Sequence, residues 1–388
     1  MSPLVTILAV ALVFYVVIPG IGAFGVRQRW RRFRRRLVEA TLRAPVTYAS
    51  VRRVAGPGIE ARFTGALESI QGEQTAWIRN SEITVAVEMA HSDVYMVSQS
   101  DTDRREAPPA RTSWSRVGSL PEGVKVLVSG KLDTGGPHPV IRGDAGEPVL
   151  VVFYDGAEST LVRHCIWSGR QLNEYWNSVT PGALAGGTLA LIVLAYFLLR
   201  QPLAVGFARF AIGLAAVPVL PLLPPGIVFF YLYRRSWRRG RLLRAHRDVL
   251  MAPLRYFAGD EPCVSLPTGE LYCREEWRLD ALTQAFADGM AFIEPTIDAG
   301  PTRWTRRRRR STSGKAGTGT VFGHPGSDWP VRPSDTLAEW IAVRGDPVVA
   351  SAECQRQARR YELASAVILG GGLLVNFVLV LIALAATT

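Results

Sequence analysis

The chain has 388 residues, with 45 Lys and Arg against 33 Asp and Glu, a formal net charge of +12 and a pI near 10.0. Hydrophobic residues make up 48% of it, gathered into runs of membrane-spanning length, which excludes an ordinary soluble globular chain. Four cysteines with no C-x-x-C pair and five scattered histidines with no H-E-x-x-H exclude the usual zinc frameworks.

The first run, residues 4–26, is a predicted transmembrane helix, because a hydrocarbon core of about 30 Å takes about 20 apolar residues of helix. It lacks a basic n-region and its charges come after it, so it reads as an anchor and not a signal peptide. The residues that follow are Arg27, Arg29, Trp30, Arg31, Arg32, Phe33, Arg34, Arg35, Arg36 and Leu37. Trp30, Phe33 and Leu37 share one face of this basic helix, as in an amphipathic helix lying in a lipid interface. The whole set is therefore the candidate lipid-interface site, with anionic headgroups as the expected partner.

Residues 46–178 read as an all-β domain closed by a helix. Ile83, Val85, Val87 and Met89 alternate with Thr84, Ala86 and Glu88, and Val124, Val126 and Val128 alternate likewise. Further strands are expected at Arg62–Leu67, Thr75–Arg79, Val94–Ser98, Pro139–Arg142 and Val149–Tyr154, with turn signals such as Gly135-Gly136-Pro137 and Asp155-Gly156 between them. Asp101–Ser115 is polar and reads as a loop insertion, and Glu158–Trp176 reads as a helix with Ser159 as its N-cap. Short strands at this spacing argue a small closed or partly closed barrel.

Three more apolar runs follow: 183–199, 203–233 and 364–385. Pro218, Pro221, Pro224 and Pro225 cannot all sit in a regular helix, so 203–233 is expected as one sharply Pro-kinked helix, as a helix that begins near Phe210 with Arg209 snorkelling to the outer interface, or as a re-entrant segment. Its end carries Arg234, Arg235, Arg238, Arg239, Arg241, Arg244 and Arg247, and Arg356, Arg359 and Arg360 precede the last run. Arg clusters stay on the cytoplasmic side. That places both termini outside and both soluble regions in the cytoplasm. Gly370, Gly371, Gly372 and Asn376 lie inside the last run and are candidates for helix packing, since small residues admit close approach and Asn bonds across helices.

The second soluble region, 248–362, is mixed. Cys263–Leu266 and Glu270–Cys273 read as a hairpin that sets Cys263 opposite Cys273. A facing pair suits a disulfide, whereas a reducing compartment favours two thiols. Leu279–Phe292 is expected as a helix, and 305–320 as a disordered Arg/Gly-rich linker. The SGKAGTGT stretch lacks the Ser or Thr that a P-loop needs after its lysine. Trp77, Arg79 and Tyr95 could stack nucleic acid on an OB-like face, but the Arg clusters border membrane runs, so lipid and topology account for the charge.

An anchor, then RFTGALESIQG (62–72), EGVKVLVSGKL (122–132), PVIRG (139–143) and a helix leading into a membrane run together resemble the β domain of the MULAN/GIDE family. The resemblance covers about 60–200 and implies an OB-like barrel held beside a membrane. Members that are ubiquitin ligases carry a RING domain, whose paired cysteines this chain lacks, so ligase activity is not implied. The reading is an α+β integral membrane protein with about four transmembrane helices, a small OB-like β-barrel cytoplasmic domain and a second mixed cytoplasmic region. It is expected to be a non-enzymatic scaffold or binding module, with no catalytic, cofactor or metal site and an unidentified protein partner. The alternative is a component of a membrane enzyme or transporter complex. The Arg-, Ala-, Gly- and Pro-rich composition points to a bacterial inner membrane.

Overall fold

The computed structural model describes residues 2–53, 57–72, 74–98, 108–117, 120–259, 261–294 and 317–386. In chain order the helices are α1 (Pro3–Leu12), α2 (Ile18–Leu42), α3 (Tyr48–Arg53), α4 (Glu158–Arg170), α5 (Thr180–Leu199), α6 (Val205–Ala215), α7 (Gly226–Leu250), α8 (Thr283–Ala287) and α9 (Pro347–Ala386). The strands are β1 (Ala44–Pro45), β2 (Pro57–Gln71), β3 (Thr75–Arg79), β4 (Thr84–Glu88), β5 (Ser92–Val97), β6 (Ala110–Thr112), β7 (Lys125–Asp133), β8 (Val140–Arg142), β9 (Val149–Tyr154), β10 (Cys263–Ser265), β11 (Leu271–Arg278), β12 (Ala291–Ile293), β13 (Thr318–Gly323) and β14 (Ile341–Arg344). A π-helical stretch, Val13–Val17, joins α1 to α2, making Pro3–Leu42 one helix. The protein is thus mixed α+β. Among the described residues, Pro3–Leu42, Thr180–Leu199 and Pro347–Ala386 are long and apolar enough to cross a membrane. The chain divides into two compact units.

The helical unit comprises Met1–Arg32, Gln171–Leu243 and Gln355–Thr388. Ile7 and Tyr15 pack with Leu191, Ala195 and Leu198 of α5 and Ala208, Ala211 and Ala215 of α6. Most of its other large apolar residues, among them Phe24, Leu189, Val228 and Val367, point outward, as lipid-facing residues do. The run expected as one kinked helix, 203–233, is instead two. α6 ends at Ala215 and α7 starts at Gly226, with a 3₁₀ turn at Leu220–Leu222 between them. Four prolines in eight positions remove too many backbone donors for the helix to bend through them.

The β unit comprises Phe33–Arg170 and Arg244–Cys354. Its larger sheet has nine strands, in which pairings run β2–β3–β4–β8–β7 and return from β7 to β2. β2 makes the return possible. It is 15 residues long and pairs with β7 through Ala66 and with β3 from Ala66 onward, bending past a register shift between Leu67 and Ser69. Gly65 sits at this crossover, where a Cβ would lie 2.5 Å from the Arg79 carbonyl oxygen. Inside lie Phe63, Leu67, Ile78, Val85, Val87, Val126, Val128, Ile141, Val151 and Phe153, the alternating positions of the predicted strands. β9, β5 and β6 extend the sheet from β7. Strand β6 and the Trp114–Arg116 turn occupy part of what the sequence suggested was a loop, while 101–107 lie outside the described residues.

The smaller sheet has five strands in the order β10-β11-β13-β14-β12. The hairpin forms with Cys263 opposite Cys273, and the two are joined as a disulfide. The helix expected over Leu279–Phe292 shrinks to α8, and strand β12 takes its end. Phe292 and Ile293 pair with β14, because the apolar residues there fill a sheet and not a helix face. Of the expected linker, 305–316 lie outside the described residues, and Thr318 already begins β13.

Candidate functional site

Two places carry polar groups in arrangements that packing alone does not require. The first is the break in the third apolar run. Asn376 is 2% exposed, and its Nδ2 donates to the carbonyls of Leu220 (2.6 Å) and Leu223 (2.9 Å), which also accept from the backbone N–H groups of Leu223 (3.2 Å) and Ile227 (3.2 Å). Gly226 lets the amide in, since a Cβ there would lie 2.3 Å from Nδ2. The Oδ1 of Asn376 is buried without a partner. A second polar chain runs through the same unit. Tyr15 Oη lies 3.2 Å from Thr188 Oγ1, which donates to the Ala215 carbonyl at the end of α6 (3.1 Å). Tyr175 Oη donates to the Tyr15 carbonyl (2.9 Å), within the π-helical stretch.

Partners along α9 reveal the course of the broken run. Gly372 faces Phe229, Asn376 faces Leu223 and Leu220, and Phe377 and Leu381 face Gly213. Phe210 packs edge-on against Phe377, with ring centroids 5.6 Å apart. As α9 advances from 372 to 377, about 7.5 Å of helix rise, its partners step back from Phe229 to Leu223 and Leu220 and then to Gly213 and Phe210. A re-entrant segment would return to the level at which it started. From Phe210 to Phe229 the run therefore lies along α9 as two helices with an unwound middle.

This also sorts the helix-packing candidates. Gly372 is one: a Cβ there would sit 2.5 Å from Phe229 Cβ. Asn376 is another. Gly370 and Gly371 have nothing within 4 Å of a built Cβ and pack against no neighbour. Gly372→Val is accordingly expected to lower the thermal midpoint of the detergent-solubilised protein, by overpacking worth about 1–3 kcal/mol. Gly370→Val should leave it unchanged, and equal shifts for the two would refute the assignment.

The second place is an arginine hub in the β unit. Three helices deliver guanidinium groups to one carboxylate. Arg34 Nη1 of α2 donates to Asp248 Oδ2 (2.7 Å), and Arg170 Nε of α4 donates to the same oxygen. Arg247 donates to Oδ1 through Nε (2.9 Å) and Nη2 (2.5 Å). Asp248 is the sole acidic residue between Tyr233 and Leu250. Burial alone would raise its carboxyl, but Arg170, Arg247 and Arg34 outweigh burial and hold it below the usual carboxylate range. Beside it, His246 stacks on Trp167 at 4.9 Å, and burial pushes its imidazole down to about 4.

Within the lipid-interface set, the three apolar residues do not face outward. Trp30, Phe33 and Leu37 are buried in the protein at 8%, 2% and 0% exposure, and the Phe33 ring lies 4.2 Å from that of Tyr95. Their spacing marks a helix face docked on protein, which a one-dimensional pattern cannot distinguish from a face docked on lipid. Arg36 is bound to Asp93 and to the Pro148 carbonyl, and Arg34 to Asp248. Arg27, Arg29, Arg31, Arg32 and Arg35 remain exposed. Of the nucleic-acid candidates, Tyr95 is buried, while Trp77 is half-buried and donates to Gln71 (2.9 Å).

Two further buried ion pairs escaped the sequence reading. Arg62 of β2 meets Asp335 at 2.5 Å, and Arg255 lies 3.7 Å from Glu339, whose backbone carbonyl takes the Tyr272 hydroxyl (2.6 Å). Burial raises the Glu339 carboxyl despite Arg255 and Arg163. Such pairs join residues far apart in the chain and leave no local signature. Asp248 alone had one, a single acid inside an arginine run. Among the described residues no group of His, Cys, Asp and Glu is arranged to hold a metal ion. In comparisons with known proteins, no family model, no curated protein and no solved structure matches the chain.

Proposed function

We propose that the chain is a multi-pass membrane scaffold that holds a β-barrel binding module at the cytoplasmic face of the bilayer. The observation that carries this reading is the placement of exposed arginine. Arg27, Arg29, Arg31 and Arg32 follow the first apolar run, Arg234 and Arg235 follow the broken one, and Arg359 and Arg360 precede the last. In each case they stand on the side of the run that leads in sequence to the β unit. Topology and anionic headgroups both favour that end in the cytoplasm. The one-directional course of the broken run adds a fourth crossing to the three long helices, which lets every arginine cluster share one side. The strand cycle β2–β3–β4–β8–β7–β2 suits a five-stranded, OB-like Greek-key barrel, in keeping with the MULAN/GIDE-like pattern of 62–143.

The test is accessibility. Single cysteines at the exposed Ser81 and Ser327 are expected to resist an impermeant thiol reagent in intact cells and to react after lysis; Cys165 and Cys354 are buried and give little background. Labelling of intact cells at either site defeats the model. A photo-crosslinking residue at the exposed Ile59 should then give a discrete protein adduct in native membranes, and lipid adducts alone would argue against a scaffold.

The second reading, a transporter component, has one observation in its favour. Discontinuous helices near mid-membrane with a buried polar side chain are how many transporters build their sites. Here both Nδ2 hydrogens of Asn376 are used in capping the break, which supports the scaffold reading first.

A further inference from the structure

We propose that the Arg34–Arg170–Arg247 hub is a binding site for a phosphate-bearing dianion, a phosphomonoester carried by a soluble molecule or by a lipid headgroup. The argument begins with charge. Three guanidinium groups converge on one carboxylate, and Asp248 is the sole acidic partner of each among the described residues. The cluster therefore keeps two positive charges in excess. These are poorly solvated, with side-chain exposures of 31% for Arg34, 10% for Arg170, 20% for Arg247 and 7% for Asp248. Holding like charges together out of water is costly unless something neutralises them.

The donors are also suited to an oxyanion. Each guanidinium has five N–H groups in a planar fork. Asp248 accepts from one nitrogen of Arg34, one of Arg170 and two of Arg247, so the other nitrogens of all three remain available. They come from three separate helices, so a tetrahedral oxyanion could be gripped from several directions. A dianion would match the excess charge. Burial and the other two arginines both push Arg170 below the usual guanidinium range, a penalty that a bound anion would relieve.

Sequence position favours a soluble source. Arg34 and Arg247 lie eight and fourteen residues beyond the last apolar residues of their runs, Val26 and Tyr233. The exposed arginines that suit ordinary lipid phosphates, Arg27 to Arg32 and Arg234 to Arg235, fall within the first six.

The full chain in zwitterionic nanodiscs provides the test. Its thermal midpoint is followed while inorganic phosphate is titrated against chloride at matched ionic strength. A saturable rise is expected with phosphate and not with chloride. Arg34→Gln should weaken half-saturation by about tenfold, the loss of one charge-assisted contact. Arg35→Gln, on the same helix but 75% exposed, should change nothing. Should Arg34→Gln fail to fold, Arg34→Lys serves instead; it keeps the charge, loses the planar fork and should still weaken half-saturation, by less. Nanodiscs containing a minority of phosphatidic acid separate the sources. If the lipid raises the midpoint and abolishes the phosphate response, the ligand is a headgroup. If the phosphate response persists unchanged, it is soluble. Equal responses to phosphate and chloride, or a phosphate response that ignores the Arg34 substitution tested, would overturn the proposal.

Discussion

Replacing Asp248 by Leu is expected to destabilise the β unit by about 3–5 kcal/mol, the range for removing one member of a buried ionic cluster. The loss comes less from attraction forgone than from what remains: three guanidinium groups facing one another with no acidic partner among the described residues. Their hydrogen bonds to the two carboxylate oxygens vanish as well. Denaturant unfolding of the detergent-solubilised chain measures the effect. Combining Asp248→Leu with Arg34→Gln should recover part of it, since one of the stranded charges is then gone. A loss below about 1 kcal/mol would mean that water already solvates the arginines and that the hub is superficial.

The second large effect is a dependence on pH traceable to His246. Its pKa is lowered from 6.5 to about 4 by burial. In that interval the unfolded chain binds a proton that the folded chain refuses, so stability is complete above pH 6.5 and declines as the pH falls towards 4. A shift of that size corresponds to about 3 kcal/mol. Asp248 acts in a different window. Its carboxyl is depressed below 3.8, so its stabilisation stays intact until the pH falls below that value. His246→Phe keeps an aromatic ring against Trp167 and removes the titration. The variant should lose most of the acid sensitivity between pH 6.5 and 4 while matching the parent at pH 8. Burial also lowers His164, so a residual slope is expected. A parent and variant with parallel pH profiles would show that His246 reaches solvent in the folded state.

Much of the larger sheet is legible in the sequence. β3 and β9 fall within their expected bounds, β3 alternating because one face lies in a small core and β9 as a continuous apolar run buried on both faces. The apolar runs are legible for a similar reason: length and hydropathy are one-dimensional properties. What the sequence conceals is which surface an amphipathic face meets. Phe33 and Leu37 have the same spacing whether they enter lipid or lie beside Tyr95. Long-range pairs are hidden altogether, as with Arg62 and Asp335. The proline cluster announced a disturbance at 218–225 but not its form. The structure shows a break into α6 and α7, with Asn376 and Gly226, neither of them part of the proline pattern, packed at it.

The β unit is drawn from two stretches of chain, Phe33–Arg170 and Arg244–Cys354, separated by the whole of Gln171–Leu243. On a ribosome this sets a timetable. At about 5–20 residues per second, roughly 4–15 s pass between the end of the first stretch and the start of the second. During that interval Arg170 has emerged and Asp248 has not. Arg62 waits longer for Asp335, on the order of 15–55 s at the same rates. The nine strands of the larger sheet are all made by Tyr154, so that sheet waits through the synthesis of α5, α6 and α7 with its ionic contacts to the second stretch still open. Nascent-chain protection, whether by a chaperone or by the bilayer surface itself, would be needed over that interval, and slowing synthesis between 171 and 243 should aggravate misfolding more than slowing it anywhere within either stretch.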